Sequence, residues 1–139
     1  MYLSKSISID ANIWKVWEIL STIENWPRWQ RAVSKVSVKS SIRTGAVFHW
    51  TTGGMSIRSI IEDIEAPGKI VWTGKALGTR ARHAWLLAEN GGSTTVETSE
   101  SMEGWLVSLV GFFDRRFLDK ALTAALNDLK TAAELRPAD

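Results

Sequence analysis

Residues 69–102 read KIVWTGKALGTRARHAWLLAENGGSTTVETSESM, and side-chain type along them alternates with a period of two. Arg80 and Arg82 interleave with Ala81, His83 and Trp85, the signature of strands with one polar and one apolar face. Gly78 and Asn90-Gly91-Gly92 punctuate the stretch and supply turn chemistry. Connections this short join only antiparallel neighbours. Residues 69–77, 79–89 and 93–102 are therefore three successive strands of a meander. Working back toward the N-terminus, the same period marks 32–40 (AVSKVSVKS), 46–52 (AVFHWTT) and 55–65 (MSIRSIIEDIE), separated by Gly45, Gly53-Gly54 and Pro67-Gly68. Residues 2–9 (YLSKSISI) alternate as well and make a seventh strand.

Outside the strands the period becomes helical. Asp10 is the expected N-cap of a helix over 11–21, where Ile13, Val16, Trp17 and Leu20 recur on one face. A second short helical segment spans about 23–30, with a break or a helix start expected at Trp26-Pro27. Residues 105–135 read as a long helix, about 45 Å if continuous. Its second half carries the stripe Leu118, Leu122, Ala125 and Leu129. Its first half, WLVSLVGFF, is apolar nearly all round, with Gly111 as a candidate bend. Such a helix must be covered on all sides, and it is the only element large enough to cover the apolar face of a seven-stranded sheet. The expected fold class is α+β: a seven-stranded antiparallel sheet wrapped around a long C-terminal helix, with two short helices after strand 1. A curved sheet cannot close completely on one helix, so a gap is expected between them.

Composition bounds the function. The 139 residues suit one domain over 1–139. Seventeen Lys and Arg against fifteen Asp and Glu leave a formal charge of +2, with no like-charged run beyond Arg115–Arg116. The expectation is a mixed solvated surface and no nucleic-acid partner. With no cysteine and two histidines, a thiol nucleophile and a thiolate metal site are excluded, and neither metal nor cofactor is expected. No phosphate-binding glycine loop or nucleophile elbow occurs. The N-terminus lacks the apolar segment of a signal peptide, and the longest apolar run is too short to span a bilayer. A cytoplasmic protein without stable membrane insertion is therefore expected. Oligomeric state is not legible. Eight tryptophans against one tyrosine and four phenylalanines are the outlier, since indoles serve equally in a core and in the wall of a broad cavity.

Several segments together resemble a known superfamily. They are IDANIWKVWEIL (9–20), IENWPRWQRAV (23–33), GAVFHW (45–50), IRSIIEDIEAPGKIVWTG (57–74), HAWLLAENGGSTTVETSE (83–100) and LNDLKTAAE (126–134). In order and spacing the chain is similar to the SRPBCC superfamily, which includes START lipid-transfer domains and polyketide cyclase/dehydratases, and in particular to its polyketide cyclase-like branch. The resemblance implies a helix-grip fold with an internal pocket for hydrophobic ligands. It implies no single reaction, because carriers, sensors and enzymes share this architecture.

The candidate polar site is His83 with Glu100. His83 shares a face with Ala81, Trp85 and Leu87, and folding the hairpin about Asn90-Gly91-Gly92 sets it opposite Ser99 or Glu100. A histidine beside a carboxylate in an apolar pocket is an acid/base pair; the alternative is a histidine held by a structural hydrogen bond. Phe48, Trp50, Trp72 and Trp85 are expected on the inner face of the sheet, as cavity lining or as filled core. Trp29, beside Pro27, is placed at the pocket mouth, or else anchors that loop. From the helix, Phe113, Asp114, Phe117 and Leu118 complete the expected lining, with Asp114 reading equally as a solvent-facing charge. His49 falls on the opposite face from Phe48 and Trp50. The expected function is binding of a lipid, aromatic or polyketide-like molecule, as carrier or sensor. The alternatives are a cyclase or dehydratase using the same pocket, with His83 and Glu100 moving protons, and a protein-interaction module using 105–113.

Overall fold

Every alternating stretch becomes a strand. The computed structural model describes residues 1–109 and 115–135. In chain order they form β1 (Tyr2–Ile9), α1 (Ile13–Ser21), a 3-10 turn (Ile23–Asn25), α2 (Trp26–Trp29), β2 (Val33–Val38), β3 (Val47–Thr52), β4 (Met55–Glu65), β5 (Lys69–Ala76), β6 (Thr79–Asn90), β7 (Ser93–Glu103), α3 (Trp105–Leu109) and α4 (Arg115–Glu134). The strands make one antiparallel sheet in the order β1-β7-β6-β5-β4-β3-β2. Strands β2 to β7 thus form an unbroken meander, and β1 pairs with β7 at the far edge. Pairing irregularities between Ile61 and Asp63 and between Val33 and Lys35 interrupt the ladder, and such bulges bend a sheet.

Two local expectations change. Asp10 does not cap α1; the cap is Asn12, whose side chain accepts from the Trp14 amide. Ala11 N bonds Ile9 O in a turn first, so the helix starts two residues later than the carboxylate would require. The expected long helix is present as α3 and α4, and residues 110–114, with the candidate bend at Gly111, lie outside the described residues. The expected start at Trp26-Pro27 is observed: Pro27 occupies the first turn of α2, where its missing N–H costs nothing.

The concave face buries one large cluster and one small one. The large cluster joins Val16 and Leu20 of α1 and Leu126 and Leu129 of α4 to Phe48, Trp85 and Val96 of the sheet. The small cluster holds Met102, Leu118 and Leu122, with Met55 and Ala81 packed against it. Helix α4 lies against β1, β7, α1 and α2, at one side of the concave face. Toward β3–β6 it leaves the sheet uncovered, and there a space remains.

At the β5–β6 turn, Gly78 has φ +67°, and a Cβ there would stand 2.7 Å from Leu106 and Trp105. Only glycine allows that approach. It lets Leu106 N donate to Gly78 O at 3.0 Å and ties α3 to the hairpin.

Candidate functional site

The space between α4 and the sheet is a cavity of about 420 Å³, partly open to solvent. Small side chains create it. Gly74 and Ala76 of β5 and Ala81 of β6 face Ala121, Ala124 and Ala125 of α4 across it. Larger residues at those six positions would fill the gap as they do elsewhere on the same face. Gly74 is also fixed from the side, since a Cβ there would meet the Ile57 side chain at 3.1 Å.

Aromatic and aliphatic groups finish the walls. Trp50 and Trp72 line the cavity from β3 and β5, and Phe117 and Leu118 from α4. The Trp50 indole is oriented by a 2.9 Å hydrogen bond to the buried Ser59 hydroxyl. Behind both indoles stands Trp26, with ring centroids 5.4 Å from Trp50 and 5.1 Å from Trp72. Trp26 is fully buried and donates to Leu20 O at 2.9 Å, so it backs the wall.

The polar end is His83 on β6 and Glu100 on β7, directly paired across the two strands. Both line the cavity, and their side chains keep only 11% and 18% of their surface. His83 Nδ1 lies 3.8 Å from Glu100 Oε2, beyond hydrogen-bond length. His83 Nε2 is 2.7 Å from the Thr98 hydroxyl, which donates to Ala84 O at 3.3 Å. A hydroxyl already donating must accept from the imidazole, so the proton sits on Nε2 and Nδ1 is left as an acceptor. The ring stands between Trp72, at 5.0 Å, and a stacked Trp85, at 5.5 Å. Burial there penalises the imidazolium and pushes His83 down to about 3. The same loss of hydration pushes the Glu100 carboxyl up to about 7. Attraction between the charged forms would oppose both shifts, but at 3.8 Å without a hydrogen bond, desolvation prevails. Between these two values the pair holds one mobile proton, on Glu100, which is half released by about pH 7.

The structure thus brings together His83, Glu100, Trp50, Trp72, Phe117 and Leu118. Phe48 and Trp85 do not reach the cavity: both are fully buried in the large cluster, with Phe48 behind Trp72 and Trp85 beneath His83. Trp29 packs against the same cluster and does not line the cavity, because the chain leaves α2 at Gln30, which does. Trp105 is exposed and packed on Gly78. Phe113 and Asp114 lie outside the described residues, as does 110–113 of the segment read as a docking surface. Arg58 and Arg82 are both exposed. Arg82 donates to Glu62 at 3.0 Å.

Three polar residues were missed. Thr98 fixes the His83 tautomer, and its position opposite Trp85 on an inward face was the available signal. Thr79 lines the cavity with its Oγ1 buried and unbonded among the described residues. Asp128 of α4 lines the opposite end and accepts from Arg31 N, Nε and Nη2 at 3.0, 3.2 and 3.1 Å. It closes α4 onto the α2–β2 connection across 97 residues of sequence, and no local pattern announces it. Near β2 and β3, two more open grooves are lined by residues that include Lys39, Arg43 and His49. No cluster of metal-ligating side chains occurs among the described residues. No helix among them is long and apolar enough to cross a membrane.

A single curved antiparallel sheet, a C-terminal helix in its concavity and an apolar cavity between them define a helix-grip domain of the START-like class. The chain belongs to the polyketide cyclase/dehydrase and lipid transport family, whose model matches residues 2–134. No curated protein matches it by sequence. Among solved structures it is similar to a hypothetical protein of Helicobacter pylori (TM-score 0.85, 17% identity, 96% of this chain and 88% of that one). It is also similar to a START superfamily protein of Mycobacterium smegmatis (0.83, 14%, 96% and 97%) and to the ZhuI aromatase/cyclase of a Streptomyces species (0.80, 15%, 96% and 93%). At these identities the likeness is one of fold.

Proposed function

We propose that the protein binds a hydrophobic small molecule between its sheet and α4, as a carrier or sensor. The cavity carries this reading. At about 420 Å³ it lies within the range of about 300–1,000 Å³ that small-molecule sites occupy. It is nearly three times the engineered apolar cavity of about 150 Å³ that admits benzene, so a molecule of two or three rings fits. Its walls are indole, thioether, aliphatic and Ala surfaces, with few polar groups to fix an orientation. Titrating the protein with naphthalene and following Trp fluorescence tests this, because Trp50 and Trp72 line the cavity. A saturable change that weakens in Trp50→Phe and Trp72→Phe supports the reading, and a linear, unsaturable response overturns it.

One observation favours a second reading, a cyclase or dehydratase. His83 and Glu100 have affinities for protons pushed apart in the sense that makes a neutral acid and a neutral base at the same pH. Held against a folded reactive chain, such a pair would move a proton from carbon to oxygen, with much of the rate coming from positioning. Turnover of a poly-β-carbonyl substrate that vanishes in His83→Ala would establish it.

A further inference from the structure

Among the described residues that line it, the cavity holds two acids and no base stronger than imidazole. None of the described residues lining it is Lys or Arg. Of the two carboxyls, Asp128 is already occupied by three donors from Arg31. The other, Glu100, makes no hydrogen bond to a described residue and faces His83 Nδ1 across 3.8 Å. That separation is too long for a direct bond. An oxygen about 2.8 Å from both atoms nevertheless fits as the apex of a triangle on that base.

The chemistry demanded of that oxygen is specific. With the proton on Nε2, His83 Nδ1 needs a donor, and a protonated Glu100 needs an acceptor. A hydroxyl group is both at once. A carbonyl would serve Glu100 and leave Nδ1 bare, while an amine or thiol matches less well in strength or reach. If Thr98 and His83 exchange donor and acceptor roles, the complement is unchanged, since Nδ1–H then donates and the carboxyl oxygen accepts. Burial supports the neutral carboxyl by raising its proton affinity.

A second, independent group points the same way. Thr79 lines the cavity and is 6% exposed, and its buried Oγ1 has no hydrogen-bond partner among the described residues. It stands four residues from His83 on the same strand, about 13 Å away at about 3.3 Å per residue. A buried hydroxyl without a partner is destabilising unless a ligand or water completes it.

From these groups we infer that the cavity selects neutral, hydroxyl-bearing ligands, phenols or alcohols on an apolar skeleton, and rejects the carboxylate of the same skeleton. The inference rests on the small-molecule reading above and narrows it. A carboxylate entering this cavity finds no cation among the described lining residues and must approach Glu100 and Asp128, and an unpaired buried charge binds poorly. A hydroxyl docked on His83 and Glu100 gains a net hydrogen bond, worth about fivefold in affinity.

Calorimetric titration of the full chain at about pH 6 with naphthalene, 2-naphthol and 2-naphthoate separates the possibilities. The expected order is 2-naphthol above naphthalene by about fivefold, with 2-naphthoate at least tenfold below 2-naphthol. Glu100→Ala lowers 2-naphthol affinity more than it lowers naphthalene affinity, and Glu100→Gln, which keeps a donor and an acceptor in place, restores the order. If Glu100→Ala does not fold, the three-probe comparison on the native protein still decides. Parity of 2-naphthoate with 2-naphthol, or of naphthalene with 2-naphthol, overturns the selectivity and leaves the apolar site standing. Failure of all three to bind overturns both readings.

Discussion

Replacing Glu100 by Gln should stabilise the protein at alkaline pH and do nothing at acidic pH. In the folded state the carboxyl titrates near 7, against an ordinary value of 4.5. Folding therefore costs nothing through Glu100 below about pH 4.5, and costs progressively more as pH rises to 7. The difference of 2.5 pH units (7 minus 4.5), at about 1.4 kcal/mol per unit, amounts to about 3 kcal/mol. His83 works in the opposite sense. Its folded value near 3 against 6.5 means stability is lost as pH falls from about 6.5 toward 3. Between about pH 4.5 and 6.5 the folded pair holds one proton on Glu100 and the unfolded pair holds one on His83, so the two slopes cancel. In Glu100→Gln only the histidine slope survives, and stability should climb by about 1.4 kcal/mol per pH unit across that window. Urea unfolding of both proteins at about pH 4, 6 and 8 measures this, with a gap that opens from near zero to about 3 kcal/mol in favour of the variant. A gap independent of pH, or a variant less stable at pH 8, would refute the account of the pair.

Other expectations follow from the same geometry. His83→Ala should weaken binding of a hydroxylated probe by about five- to tenfold, while His49→Ala, exposed on the convex face, should leave the isotherm unchanged. Arg31→Ala leaves the buried Asp128 carboxylate with only the backbone amide of residue 31 and should cost about 2 kcal/mol in chemical denaturation; Asp128→Asn, which leaves only an exposed guanidinium behind, should cost about half of that. Gly78→Ala meets both a positive φ and the Trp105 ring, and should cost about 2 kcal/mol, lowering Tm by roughly 8 °C.

The strands and their order were legible because two independent signals coincide along residues 32–102, a period of two and glycine-rich turns at each reversal. The same signals set His83 opposite Ser99 or Glu100, and the structure selects Glu100. A two-residue Gly91-Gly92 loop pairs Asn90 with Ser93 and carries that register back to residues 83 and 100. Depth along the strands was not legible. Phe48, Trp72 and Trp85 all point inward, but whether an inward residue meets solvent space or a neighbour depends on where α1 and α4 cross the sheet. The residues that decide the cavity are the small ones, Gly74, Ala76 and Ala81 facing the alanines of α4, and attention to bulky side chains passes them by. Asp128 and Arg31 show a different limit: a contact between a helix end and a loop leaves no periodicity to read.

The most direct test of the central claim is to fill the cavity and ask whether binding disappears. Ala81 lines it from β6, so Ala81→Phe projects a ring into the space the ligand would take. Titrate native protein and Ala81→Phe with naphthalene and 2-naphthol, and record both thermal melts. A cavity that binds small molecules predicts saturable binding by the native protein and its loss in Ala81→Phe, with Tm unchanged or raised. Equal binding by the two proteins would place the ligand elsewhere and contradict the assignment.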